Sequence, residues 1–262
     1  MAARAVALVA AAAALLVAPS GGLAGARLEC TVESRAGAAA SLDVVAVNTG
    51  DEPARDVRPE VIYEHRTYTG EAAALDPGTR HAWQIALAPP PGPGAFAATV
   101  RVHYVDSHGR RSVPVVAPVP AGESPVRLRL DASPVARAGS ATLLIENPDA
   151  EPIAGRVVVV LAGGLVTDPE TLPARVAAEG RTTVPLVLEN RGGLPPGSYP
   201  AYALFEYTAA GVHHAAVART DVAVVADAGA RRVRPLVVGA SALGVALAVL
   251  AIAWRRAAAR AR

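Results

Sequence analysis

The 262 residues are 52% hydrophobic, and their 25 basic groups, all arginine, face 23 acidic ones. Eight arginines (Arg4, Arg231, Arg232, Arg234, Arg255, Arg256, Arg260 and Arg262) lie in an N-terminal leader or beside a C-terminal apolar run, which leaves 17 against all 23 acids between residues 27 and 230, a net of −6. The pI near 9.0 therefore reports terminal arginines, and an acidic middle without aromatic-basic interleaving argues against nucleic-acid binding.

Residues 1–26 read as a secretory signal peptide. Arg4 supplies the positive start, residues 5–18 an apolar run, and Ala24-Gly25-Ala26 the small residues of a cleavage site. A retained N-terminal anchor is the alternative, and both versions export the middle of the chain. Cys30 is the only cysteine, so an internal disulfide is excluded. Glu29 before it and Arg27 three positions back do not fit a lipoprotein signal, and Cys30 reads as a small apolar strand residue.

From residue 27 to 230 short β-type runs alternate with Gly, Pro, Asn and Asp clusters. Strands are expected at residues 28–34, 41–48, 57–68 and 81–87, with Trp83, Ile85 and Leu87 pointing one way and Trp83 in the core. Phe96, Ala98, Val100, Val102 and Tyr104 form an inward set opposite Thr99, Arg101 and His103. Ser107-His108-Gly109 makes a turn, and residues 112–117 return. Pro59 and Pro114 suit edges or strand ends.

The plan then repeats. The turn from Asn48 to Pro53 recurs as Asn147 to Pro152, and the inward set recurs as Tyr199, Ala201, Ala203, Phe205 and Tyr207. Two tandem domains are expected, 27–120 and 121–230, each an immunoglobulin-like β-sandwich with an apolar inner and a polar outer face, strung as a rod. The fold class is thus all-β, with a signal peptide and one C-terminal transmembrane helix added.

Val45-Ala46-Val47-Asn48-Thr49-Gly50, Ala54, Val57 and Leu75-Asp76-Pro77-Gly78 resemble the cell-adhesion-related domain of bacterial surface proteins. The second repeat is similar to the small β-sandwich appended to bacterial α-galactosidases, through Asn147, residues 157–161, Glu179-Gly180 before residues 184–188, and Pro196-Gly197-Ser198-Tyr199. The resemblance implies a bacterial extracytoplasmic module for spacing, adhesion or presentation. It brings no catalytic residues.

Little in the exported part suggests chemistry. His65, His81, His103, His108, His213 and His214 lack zinc-helix spacing, and His213-His214, just past Gly211, reads as solvent-exposed, with neighbours on opposite faces. Asp51, Glu52 and Asp56, with Asp149 and Glu151, are oxygen-rich loop positions that suit calcium less well than ordinary turns. No nucleophile elbow, phosphate loop or dinucleotide fingerprint occurs. No catalytic, cofactor-binding or metal residue is expected, no cofactor, and no enzyme activity.

Residues 231–235 form a basic juxtamembrane segment before 236–254, nineteen residues without a charge that suffice for a hydrocarbon core of about 30 Å. Residues 255–262 form a basic cytoplasmic tail. Ala240, Gly244 and Ala248 make a small-residue stripe suited to a homodimer through this helix, though background alanine explains it equally well. The chain is therefore expected in a bacterial cell membrane, single-pass, with its ectodomain outside and C-terminus cytoplasmic. Its expected partners are the lipid bilayer and an envelope protein, its role that of spacer, docking or adhesion module. The alternative is a non-catalytic carbohydrate-associated module serving a separate enzyme, which exposed aromatics on one sheet face would favour.

Overall fold

The computed structural model describes residues 25–35, 40–119 and 124–227. The expected signal peptide (apart from Gly25 and Ala26), juxtamembrane segment, membrane span with its stripe, and basic tail lie outside the described residues. Among the described residues no helix is long and apolar enough to cross a membrane.

The described chain is all-β. In the first half β1 (Leu28–Arg35), β2 (Ser41–Asn48) and β6 (Arg80–Ala86) form one antiparallel sheet in the order β1-β2-β6. Facing it, β4 (Arg66–Thr69), β3 (Ala54–Tyr63), β7 (Phe96–Asp106) and β8 (Gly109–Val119) form the second, and short β5 (Ala73–Leu75) also pairs with β3. In the second half β9 (Arg127–Ala132), β10 (Ala138–Glu146), β12 (Leu165–Thr167) and β14 (Arg181–Asn190) make a sheet ordered β12-β14-β10-β9. Its partner sheet is ordered β13-β11-β15-β16, from β11 (Ile153–Leu161), β13 (Thr171–Val176), β15 (Gly197–Ala209) and β16 (Val212–Val224). Each half is an immunoglobulin-like sandwich closed over its own core.

Alternation decides the cores. Phe96, Ala98, Val100, Val102 and Tyr104 are all buried in the first, with Leu42, Val44, Val57, Val61, Trp83, Ile85 and Leu87. Ala201, Ala203, Phe205 and Tyr207 are buried in the second with Leu143, Ile145, Val157 and Leu188, while Tyr199 is half-buried against it. The repeated turn has a physical cause. Asn48 is wholly buried; its Nδ2 donates to the carbonyls of Glu52 (2.8 Å) and Leu75 (2.9 Å), and its Oδ1 accepts from the Gly50 amide (3.0 Å). Asn147 repeats this device on Glu151 (2.8 Å), Ala177 (3.0 Å) and the Asp149 amide (3.1 Å). One side-chain amide thus ties the turn after the second strand of each sandwich to the segment before β6 in the first and before β14 in the second, satisfying groups that burial would orphan.

Two strand expectations are corrected. The run 57–68 is not one strand: it breaks at Glu64 and His65, both at positive φ (47° and 59°), into β3 and β4. Pro59 is not at an edge but inside β3, opposite Val102 of β7. Its other side falls between the β5 and β4 pairings, where the Pro59 carbonyl accepts from the Gly70 amide (2.9 Å), so no ladder donor is missed there.

Candidate functional site: the junction of the two sandwiches

The outer face of β11 and β15 is apolar, against the expected polar one. Residues 157–161 of β11 are a continuous aliphatic run; Val157, Val159 and Leu161 face the second core, and Val158 and Val160 face outward. On β15, Tyr202 and Leu204 also point outward yet are 6% and 4% exposed. The first sandwich covers Tyr202. Val116 of β8, Val160 and Tyr202 form a third apolar cluster, with Ala97 and Val158 packed against it. Burying side chains of this size stabilises by about 1.5–3 kcal/mol each.

Backbone hydrogen bonds fasten the junction at both ends. At one end the Ala95 amide donates to the His213 carbonyl (2.8 Å), and Gly94 bridges His213 so closely that a Cβ at residue 94 would meet that oxygen at 2.0 Å. Phe96 stacks on the His213 ring at 4.6 Å and 18°. At the other end the Gly163 amide donates to the Ser112 carbonyl (3.0 Å). There Arg27 and Arg111 of the first sandwich lie within electrostatic reach of Tyr199 in the second, whose hydroxyl pKa burial raises and these arginines pull back.

These contacts fix the arrangement. The Phe96 end of β7 meets His213 at the start of β16, and its Tyr104 end lies within electrostatic reach of Tyr199 near the start of β15. The sandwiches therefore lie side by side, and the expected end-to-end rod is corrected. Val160 and Tyr202 supply the reason: strung out, they would leave an apolar face in water.

The sequence-selected residues distribute as follows. His213 and His214 do fall on opposite faces, but both are half-buried and not solvent-exposed. His214 stacks on Tyr207 at 4.9 Å, while His213 belongs to the junction. The five loop acids do not converge. Asp51 accepts from the Gly25 amide (2.7 Å) and Asp56 pairs with Arg58 (3.4 Å), while Glu52 and Glu151 serve the asparagine clamps through their carbonyls. Among the described residues no group of three His, Cys, Asp or Glu is placed to share a metal ion.

Cys30 is half-buried beside the first core, and its thiol pKa is pushed up to about 12, by burial first and the Glu29 carboxylate second. The Tyr104 hydroxyl is raised as well, by burial first and then Asp106, with Arg111 opposing. Folded-state values above unfolded ones mean that the unfolded chain releases these protons first. Stability should therefore be intact below pH 9.0, the ordinary thiol value, and decline as pH rises toward 12. Chemical denaturation across this range checks it; an unchanged midpoint would contradict the burial of Cys30 and Tyr104. Alkylation of Cys30 near neutral pH should likewise be slow until the chain unfolds.

No protein-family model matches the chain, and no curated protein matches it. Among solved structures, red sea bream transglutaminase is 15% identical, over 77% of this chain and 32% of that one, at a TM-score of 0.29. Elastase-activated alpha-2-macroglobulin from Escherichia coli is 12% identical, over 76% and 22%, at 0.33. A protein of unknown function from Porphyromonas gingivalis W83 is 12% identical, over 74% and 99%, at 0.25. This chain spans about a third of the transglutaminase and a fifth of the macroglobulin. TM-scores this low carry neither a fold nor a function to it.

Proposed function

We propose that this chain is a membrane-anchored, non-enzymatic interaction protein of a bacterial cell envelope, presenting two immunoglobulin-like sandwiches outside the cytoplasm as one rigid docking module. The observation that carries the reading is the junction. Its third apolar cluster and its hydrogen bonds at both ends make one block of two domains, which suits presentation of a fixed surface. The uncharged run 236–254 supports the anchor, and the resemblance of residues 45–50 and 75–78 to the bacterial cell-adhesion-related domain supports the envelope setting.

The carbohydrate-associated alternative has less support. Sugar platforms present exposed aromatic faces, and every Phe, Tyr and Trp among the described residues is buried or half-buried. Three arginines precede the anchor and four follow it, so arginine count scarcely orients it and the N-terminal leader sets the topology. A reporter active only in the cytoplasm should work when fused after Arg262. Activity there of a reporter that needs export would overturn the reading.

A further inference from the structure

Both ends of the described chain leave from one pole. The Gly25 amide is held by Asp51, and residue 25 lies beside the His108 ring in the turn between β7 and β8. Asp227 follows β16, held by Arg137 at 2.6 Å, where Val224 pairs with Gly197 at the start of β15. The fold-back makes these the same pole, because Tyr104 and Arg111 of the hairpin meet Tyr199, and Ser112 bonds Gly163. The opposite pole carries Phe96, His213 and the Asn147 turn.

Residues 228–235 separate Asp227 from Leu236. Fully extended, the nine steps from residue 227 to 236 reach at most about 32 Å. The sandwiches are longer than that: the thirteen residues of β15 span about 44 Å. A tether this short keeps the exit pole near the bilayer and the other pole away from it. Several acids at the exit pole already have partners, Asp51 and Asp227 among them. Asp106 accepts from the His108 amide (2.8 Å), and Glu189 pairs with Arg191 (2.7 Å). Arg27, Arg110 and Arg111 make no ion pair with a described residue, and Arg110 is exposed.

We propose that this pole is a bilayer-facing surface on which Arg27, Arg110 and Arg111 meet anionic phospholipid headgroups, so that the sandwich pair stands on the membrane with the Asn147 pole outward. The proposal rests on residues 236–254 being the anchor. A basic side chain near an anionic surface strengthens attachment about fivefold.

The test uses the full chain in vesicles, in a Cys30→Ser background, with a fluorescent donor at Ser107→Cys or at Ala150→Cys and an acceptor on the lipid headgroups. Both sites are exposed, and they lie at opposite poles. Energy transfer should be severalfold greater from position 107. It should be stronger in phosphatidylglycerol vesicles than in purely zwitterionic ones, and the Arg110→Glu, Arg111→Glu double variant should remove that difference. Equal transfer from both positions would overturn the orientation and leave the pole open to a protein partner. Transfer from 107 that ignores lipid charge and the double variant would overturn the headgroup contact. Chain stripped from vesicles by alkaline carbonate would sink the anchor reading and this proposal together, whereas retained chain without a preference for position 107 sinks only this one.

Discussion

Replacing Trp83 by alanine is expected to cost the first sandwich about 3–5 kcal/mol, since it combines lost burial with a cavity. Trp83 is 7% exposed in the first core, and its Nε1 donates to the Glu71 carbonyl at 2.8 Å. The indole also lies over Gly70, where a Cβ would approach its Cδ1 at 2.9 Å. Truncation therefore removes the floor under the segment joining β4 to β5 as well as core volume. For a domain of this size the melting midpoint should fall by at least about 12 °C. Calorimetry of residues 25–227 would show the first transition displaced, with the second core persisting until its own. A cost below about 1 kcal/mol would mean that the indole is not a core member.

A charge at Val160 should open the junction without unfolding either sandwich. Val160 is 2% exposed, between Val116 and Tyr202, and points away from the second core. An unpaired carboxylate there would cost several kcal/mol if it stayed buried, so the Val160→Asp chain escapes by separating the domains. With each hundred-residue domain near 13 Å in radius of gyration, a side-by-side pair should scatter at roughly 18 Å and an extended pair at about 24 Å. Val160→Asp should move residues 25–227 from the first value toward the second while the far-ultraviolet spectrum keeps its β-sheet form. Scattering unchanged from the parent would show that the hydrogen bonds at Ala95–His213 and Gly163–Ser112 hold the block without the apolar cluster.

Opening would also expose Tyr202. Arg219 lies over the Tyr202 ring at 5.9 Å from its centroid, which offers that ring some cover from its own sheet.

The local order of this protein was legible in its residues. Strict alternation from Phe96 to Tyr104 requires one buried face, because successive side chains on a strand point oppositely, and those five residues line the first core. The matched turns at Asn48 and Asn147 were legible as a repeat, although their cause was not. An asparagine before a Gly or Pro turn looks like turn chemistry, and only the folded chain brings the carbonyls of Leu75 and Ala177 to the same amide. The break at Glu64 and His65 left no mark in the pattern, since neither residue is a usual turn former.

The junction had a signal too, one that points to burial without naming the cover. Residues 157–161 are apolar at every position, as a strand buried on both faces must be, and residues 113–119 of β8 contain only valine, proline and alanine. What covers such a strand is a long-range matter: it depends on a partner surface more than forty residues away. Composition and alternation thus determined two all-β sandwiches and an apolar run beyond them. Only tertiary packing decided that the second sandwich folds back on the first, because Val158, Val160 and Tyr202 leave water when Val116 and Ala97 come to meet them.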